Sequence, residues 1–296
     1  MNYAQIKEKA DRGNVKMQYK LAYMYLDGDQ VEKNLRLSFE YFLKAAEQGH
    51  VKAQHKVGSC YYFGKGTEGD FVKAFEWYAK AAKSGDALSL YNLGIMYANG
   101  KGVEENADIA KKYFTEAANN GCQEAQIKLG KMYRYGLGVD KDMKQSVNWY
   151  VKAARAGSVD AMSYLAEYYS TVETKPAKAN RYYILAAENG DLSSMMELAR
   201  MYKEGDRVRK NYKKSYQYYY SAAEKGDKEA LLEVALCLKD GKGVKRNKFE
   251  AAKLLKQATE EGNSIAKSKL MDMRDEYMAQ EKKKQRVKKF IMLFGA

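Results

Sequence analysis

Small, large apolar and aromatic positions recur along this chain at a fixed distance. The motif Ala-Ala-x-x-Gly stands as AAEQG (45–49), AAKSG (81–85), AANNG (117–121), AARAG (153–157), AAENG (186–190) and AAEKG (222–226). Degenerate copies end at Gly13 and Gly262. The glycines at 13, 49, 85, 121, 157, 190, 226 and 262 are 36 residues apart, apart from one step of 33. A register kept through so many steps marks an internal repeat.

Each period has two helical halves. The first carries small–xxx–Leu/Val–Gly/Ala–xx–Tyr, as in Ala53-Val57-Gly58-Tyr61, Ser89-Leu93-Gly94-Tyr97 and Ala125-Leu129-Gly130-Tyr133. These spacings put all four on one helix face. The second half carries an aromatic pair before its two alanines: Tyr41-Phe42, Trp77-Tyr78, Tyr113-Phe114, Trp149-Tyr150, Tyr182-Tyr183 and Tyr218-Tyr219. Small residues let helices approach, and the rings fill the space between them.

The halves are joined by Gly-x-Gly turns: FGKGT (63–67), NGKGV (99–103), YGLGV (135–139) and DGKGV (240–244). The stretch YNLGIMYANGKGV (91–103) could be misread as a phosphate cradle. Phosphate-binding glycine loops follow a strand and open a helix. Every copy here follows a helix, and no strand pattern is visible. A glycine just past a helix end closes it in the left-handed conformation. The second glycine is expected to let the chain reverse tightly. One helix–turn–helix unit cannot bury its own apolar face, whereas stacked units can. The predicted fold is all-α, a right-handed superhelical solenoid of about seven 36-residue helix-turn-helix repeats.

Composition agrees and narrows the chemistry. One proline among 296 residues leaves glycine as the main helix breaker. The formal charge is +14, which fits either an anionic partner or a lysine-rich soluble surface. Cys60, Cys122 and Cys237 lack CxxC spacing and read as buried small apolar residues in a reducing compartment. The N-terminus has no apolar signal core, and no window approaches 18 apolar residues. A soluble, cytoplasmic protein is expected. The two histidines, His50 and His55, and the absence of HExxH, GxSxG and GxxxxGK[ST] motifs argue against catalysis. Neither a cofactor nor a metal is expected. His55 with Cys60 supplies too few ligands at a poor helical spacing.

The pattern A-x-x-x-LG-x-x-Y-x-x-G-x-GV…A-x-x-WY-x-KAA-x-x-G resembles the Sel1-like repeat, a relative of the tetratricopeptide repeat. On this reading residues 1–12 form an N-terminal capping helix and 13–262 hold seven repeats: 13–48, 49–84, 85–120, 121–156, 157–189, 190–225 and 226–261. Residues 263–296 form a C-terminal capping helix with a basic tail. The fifth repeat is three residues short, lacks Gly-x-Gly and contains Pro176. It reads as a neutral loop deletion or a change in local curvature. The tail carries Lys282, Lys283, Lys284, Arg286, Lys288 and Lys289 before an apolar Phe290–Phe294. It reads as a cap, or as a contact with anionic membrane or nucleic acid.

The resemblance implies an adaptor or scaffold. By analogy with tetratricopeptide repeats, first helices line a concave groove, and positions 3, 6, 10, 13 and 14 after each repeat glycine face it. The expected partner-binding residues are Tyr19, Tyr23, His55, Tyr62, Phe63, Tyr91, Ile95, Lys131, Arg134, Tyr135 and Arg200. Aromatics with basic residues suit a peptide or helix with apolar anchors and acidic flanks. The expected function is therefore non-enzymatic binding of another protein. The alternatives are a bacterial effector or toxin-neutralising immunity protein, and binding of membrane or nucleic acid through the basic surface.

Overall fold

A computed structural model of the chain describes residues 1–294, with side chains through Gln285. The side chains of Arg286, Lys288, Lys289 and Phe290–Phe294 lie outside the described set. Among the described residues there are sixteen helices and no strand. After α1 (Tyr3–Asp11) come seven pairs: α2 (Val15–Asp27) with α3 (Leu35–Glu47), α4 (Val51–Phe63) with α5 (Phe71–Lys83), α6 (Ala87–Asn99) with α7 (Ala107–Asn119), α8 (Gln123–Tyr135) with α9 (Met143–Arg155), α10 (Val159–Thr171) with α11 (Pro176–Glu188), α12 (Leu192–Glu204) with α13 (Tyr212–Glu224), and α14 (Lys228–Asp240) with α15 (Lys248–Glu260). The last helix is α16 (Ser264–Phe294).

Local chemistry sets the helix ends. Asn34, Asp70, Asn106, Asp142, Asn211 and Asn247 each cap a second helix with a side-chain oxygen. Pro176 opens α11, where its missing N–H is no loss. Gly100 closes α6 with φ +61°, the left-handed cap that the turn motif predicts. The second glycine has a further reason. A Cβ on Gly66, Gly102 or Gly243 would lie 2.1, 2.4 or 2.0 Å from the carbonyl oxygen of Leu35, Phe71 or Tyr212. Each turn therefore rests on the start of the second helix one repeat back. Two copies replace this glycine with Gln30 and Arg207, which keep φ at 60° and 57°.

Packing repeats with the same logic. A Cβ on Gly58, Gly94 or Gly130 would lie 2.8, 2.7 or 2.9 Å from the ring of Tyr78, Phe114 or Tyr150 on the paired helix. One position further along the face, Tyr25, Tyr97, Tyr169 and Tyr202 stack on Tyr41, Tyr113, Tyr182 and Tyr218, with centroids 5.6–6.0 Å apart. Leu21, Val57, Leu93, Leu129, Leu165 and Leu198 are buried between the pairs. Each such side chain is worth about 1.5–3 kcal/mol in transfer free energy.

The chain forms two compact units, Met1–Ser158 and Val159 onward. The first holds α1 and four helix pairs. The second holds three pairs and α16. The short fifth turn is closed by Thr174 at φ 46° and by the Lys175 N–H donating to the Tyr169 carbonyl at 2.7 Å.

Candidate functional site

Within the first unit, first-helix positions recur every 36 residues, so equivalent residues fall in register from one helix to the next. Four such rows run Tyr19-His55-Tyr91-Ile127, Tyr23-Ser59-Ile95-Lys131, Leu26-Tyr62-Ala98-Arg134 and Asp27-Phe63-Asn99-Tyr135. Ten of the eleven expected binding residues lie in these rows. Arg200 lies on α12 in the second unit, exposed, 3.7 Å from Glu197.

The rows differ in how much surface they offer. Tyr19 and Tyr23 are half-buried, and both rings meet Phe42 edge-on at 5.6 and 5.2 Å. Tyr19 also lies 4.4 Å from the His50 ring and donates to the Tyr23 hydroxyl at 3.4 Å. Tyr91 packs against Phe114, and burial raises its phenol pKa. Ile95 packs against the same core.

His55 faces inward across a repeat boundary. Its Nδ1 is 3.0 Å from the Ser89 hydroxyl and 3.4 Å from the Asp86 carboxylate that caps α6. Burial alone would raise the Asp86 carboxyl. Hydrogen bonds from His55 and from the hydroxyl and N–H of Ser89 instead hold it down at about 2. In this arrangement His55 ties neighbouring repeats together.

The open surface lies at the helix ends. Phe63 is 63% exposed and Tyr135 59%. Tyr62 meets both Phe63 (4.9 Å) and Phe71 (5.2 Å) edge-on. Lys101, from the next turn, sits 4.9 and 5.0 Å over Tyr62 and Phe71, and Lys65 sits 5.5 Å over Phe63. Two repeats on, the Arg134 guanidinium lies 5.0 Å over Tyr135, and Lys131 and Leu137, nearby in sequence, are exposed. Cations over ring faces hold these aromatics in place without covering their edges.

Sequence reasoning missed Phe71, Lys101 and Leu137. They lie outside the first helices, and only the turn resting on the previous repeat brings Lys101 to Phe71. The signal open to the sequence was an exposed-type position, the first residue of α5, carrying phenylalanine.

The chemistry of the rest is quiet. Burial pushes the Cys60, Cys122 and Cys237 thiols up to about 11, so they are protonated and weakly nucleophilic at neutral pH. Among the described residues no group of three His, Cys, Asp or Glu could hold a metal ion. No described helix is long and apolar enough to cross a membrane.

Comparison with known proteins accords with this geometry. The chain matches the Sel1 repeat over residues 15–50, 51–86, 87–122, 123–158, 159–191, 192–227 and 228–263. No curated protein matches it. Among solved structures it is similar to c5321, a protective antigen of uropathogenic Escherichia coli displaying an SLR fold. The two are 33% identical with a TM-score of 0.74, over 93% of this chain and 60% of that one. The chain thus spans about 60% of the length of that relative. It is also similar to a Sel1 repeat protein from Oxalobacter formigenes, at 28% identity and a TM-score of 0.62, over 72% of this chain and 89% of that one. The immunity protein Pa5087 from Pseudomonas aeruginosa is 26% identical over 71% of this chain and 81% of its own. Its TM-score of 0.46 is too low to carry a functional reading across.

Proposed function

The chain belongs to the Sel1 repeat family, and from that premise we propose that it is a non-enzymatic adaptor whose first-helix face, in residues 1–158, holds a segment of a partner protein. Sel1 repeat proteins generally mediate protein–protein interaction. The observation that carries the reading for this chain is the open aromatic ground at the ends of α4 and α8. Phe63 and Tyr135 leave more than half of their surface to water although their backbones sit in regular helices. Tyrosine and arginine, here Tyr62, Tyr135 and Arg134, are among the residue types that dominate interface energetics. They lose little side-chain entropy on binding, because neighbouring rings and cations already hold them.

The partner chemistry follows. Apolar anchors would seat between Tyr62, Phe63 and Phe71, and acidic residues would meet Lys65, Lys101, Lys131 and Arg134. Tyr19, Tyr23, Tyr91, Ile95 and Arg200 would contribute area around this centre. His55 would act by holding the repeat boundary.

The test is affinity purification with the full chain as bait and mass spectrometry as readout. A bait carrying Phe63→Ala, Arg134→Glu and Tyr135→Ala should lose a specific protein by about tenfold or more, which corresponds to about 1.4 kcal/mol. Its melting temperature should stay within about 2 °C of wild type, since Phe63 and Tyr135 are exposed and Arg134 is only half-buried. Equal recovery of every protein on both baits would refute the proposal.

A further inference from the structure

The last helix, α16, is built as a first helix of the repeat. Ala266, Leu270 and Met273 occupy the positions of Ala125, Leu129 and Met132 in α8. In earlier repeats the paired second helix covers this face, and Leu129, Leu165 and Leu198 have no exposed surface. Among the described residues α16 packs against α15, from the preceding pair, and no second helix of its own covers it. Leu270 is only half-buried, Met271 is 50% exposed and Tyr277 is 62% exposed. Facing them on α15, Phe249 is 82% exposed. With Ala252 and Met273 these side chains line a groove of about 590 Å³.

The other end of the repeat array is built differently. There α1 takes the place of a second helix, with Gln5 and Lys9 where α5 has Trp77 and Ala81. Both residues are exposed, so that face is suited to water. The face of α16 has one polar replacement, Arg274, and otherwise keeps an apolar seat of Ala252, Leu270, Met271 and Met273.

Departures from the repeat say what would fit. Met271 stands where other first helices have glycine or alanine facing an aromatic ring. A helix entering here must set a small residue against it. Arg274 stands where most repeats carry the tyrosine that stacks on the second helix. A guanidinium also stacks on an aromatic face, so the seat still takes a ring at that point.

The rim is basic. Lys248 and Arg274 line the groove. Glu276, the acid in the groove, is shared between Lys239 at 3.9 Å and Lys248 at 3.8 Å. Arg274 is paired with Asp275 at 3.3 Å, so the excess positive charge at the rim comes from the two lysines that share Glu276.

We propose that the groove between α15 and α16 is a docking seat for an amphipathic helix of a partner protein, with an aromatic and small-residue apolar face and acidic flanks. Apolar grooves receive helices in this way. An anionic bilayer would meet the same charge, but Ala252, Leu270 and Met273 lie inside a cleft that a flat surface does not reach.

The probe is a fluorescent peptide with the sequence of residues 107–119, which carries Tyr113 and Ala117-Ala118, with alanine in place of Phe114, the ring that faces Gly94 in its own repeat. Glutamate replaces Lys111 and Lys112. Anisotropy should report saturable binding to the full chain. Affinity should fall by about tenfold or more for the doubly substituted chain Phe249→Asp, Tyr277→Asp, and for the peptide with its lysines restored. Because both substituted side chains are exposed, the circular dichroism of this variant should match wild type. The Phe63→Ala, Tyr135→Ala chain should bind the peptide normally, which separates this seat from the face in residues 1–158. The proposal is overturned by unsaturable binding, or by equal affinity for wild type and the aspartate variant. It is equally overturned if phosphatidylserine vesicles, or a second copy of the chain, are bound by wild type and lost in that variant while the peptide is not.

Discussion

Gly102 and Gly121 both hold positive φ, at +71° and +87°, yet they meet different demands. Around Gly121 a Cβ would find open space, whereas at Gly102 it would lie 2.4 Å from the Phe71 carbonyl oxygen. Gly121→Ala should cost only the left-handed penalty, about 1–2 kcal/mol. Gly102→Ala should cost about 2 kcal/mol more, because backbone of the previous repeat must move. Urea denaturation of the two variants checks this, and equal losses would show that the turn can shift freely. Both glycines were legible as turn residues. The close approach to Phe71 was not, because the atom it meets is some thirty residues away in sequence.

At the scale of the element, α4 has an unusual cap. Its N-cap is His50, whose Nδ1 accepts from the Ala53 N–H at 3.1 Å, where α2, α6, α12 and α14 use Asn14, Asp86, Asp191 and Asp227. Burial lowers the His50 pKa from its ordinary value of 6.5. A depressed histidine takes its proton more readily in the unfolded chain. Its contribution is therefore complete above the unfolded pKa and is lost as pH falls through the folded one. Protonation also removes the acceptor that the cap needs. His50→Asp should keep α4 capped and flatten the decline in melting temperature between about pH 7 and pH 5, where the wild type loses part of a cap worth about 0.5–2 kcal/mol. Thermal melts across that range would expose the idea as wrong if the two slopes were the same. Helix positions and turns were readable from local pattern because caps, terminal glycines and 3.6-residue spacing act within a few residues. The inward turn of His55 was not readable, since it depends on Asp86 and Ser89 of the next repeat.

For the whole molecule, the two proposed surfaces sit in separately compact units, one on the first helices of residues 1–158 and one between α15 and α16. Side chains that share no partners contribute independently to binding free energy. The chain combining Phe63→Ala and Tyr135→Ala with Phe249→Asp and Tyr277→Asp should therefore lose what each pair loses alone. Two binding assays run in parallel on the four chains would reveal any departure, and a departure above about 0.5 kcal/mol would mean that the surfaces are coupled.

The repeat of 36 residues, its two helices, its turns and its family are all determined by the sequence alone. Each is written in contacts within a unit or with its neighbour, and those contacts recur often enough to stand out. Which side chains each first-helix residue meets was decided only in the tertiary structure. Tyr19, His55 and Tyr91 sit at the same position of successive repeats and are all half-buried, yet Tyr19 meets Phe42 and His50, His55 meets Ser89 and Asp86, and Tyr91 meets Phe114. The same holds for α16. Its residues spell a first helix, but only three-dimensional packing reveals that Met271 and Tyr277 are exposed and Leu270 is only half-buried. Burial is a property of what lies opposite, and the sequence of one helix does not contain its neighbour.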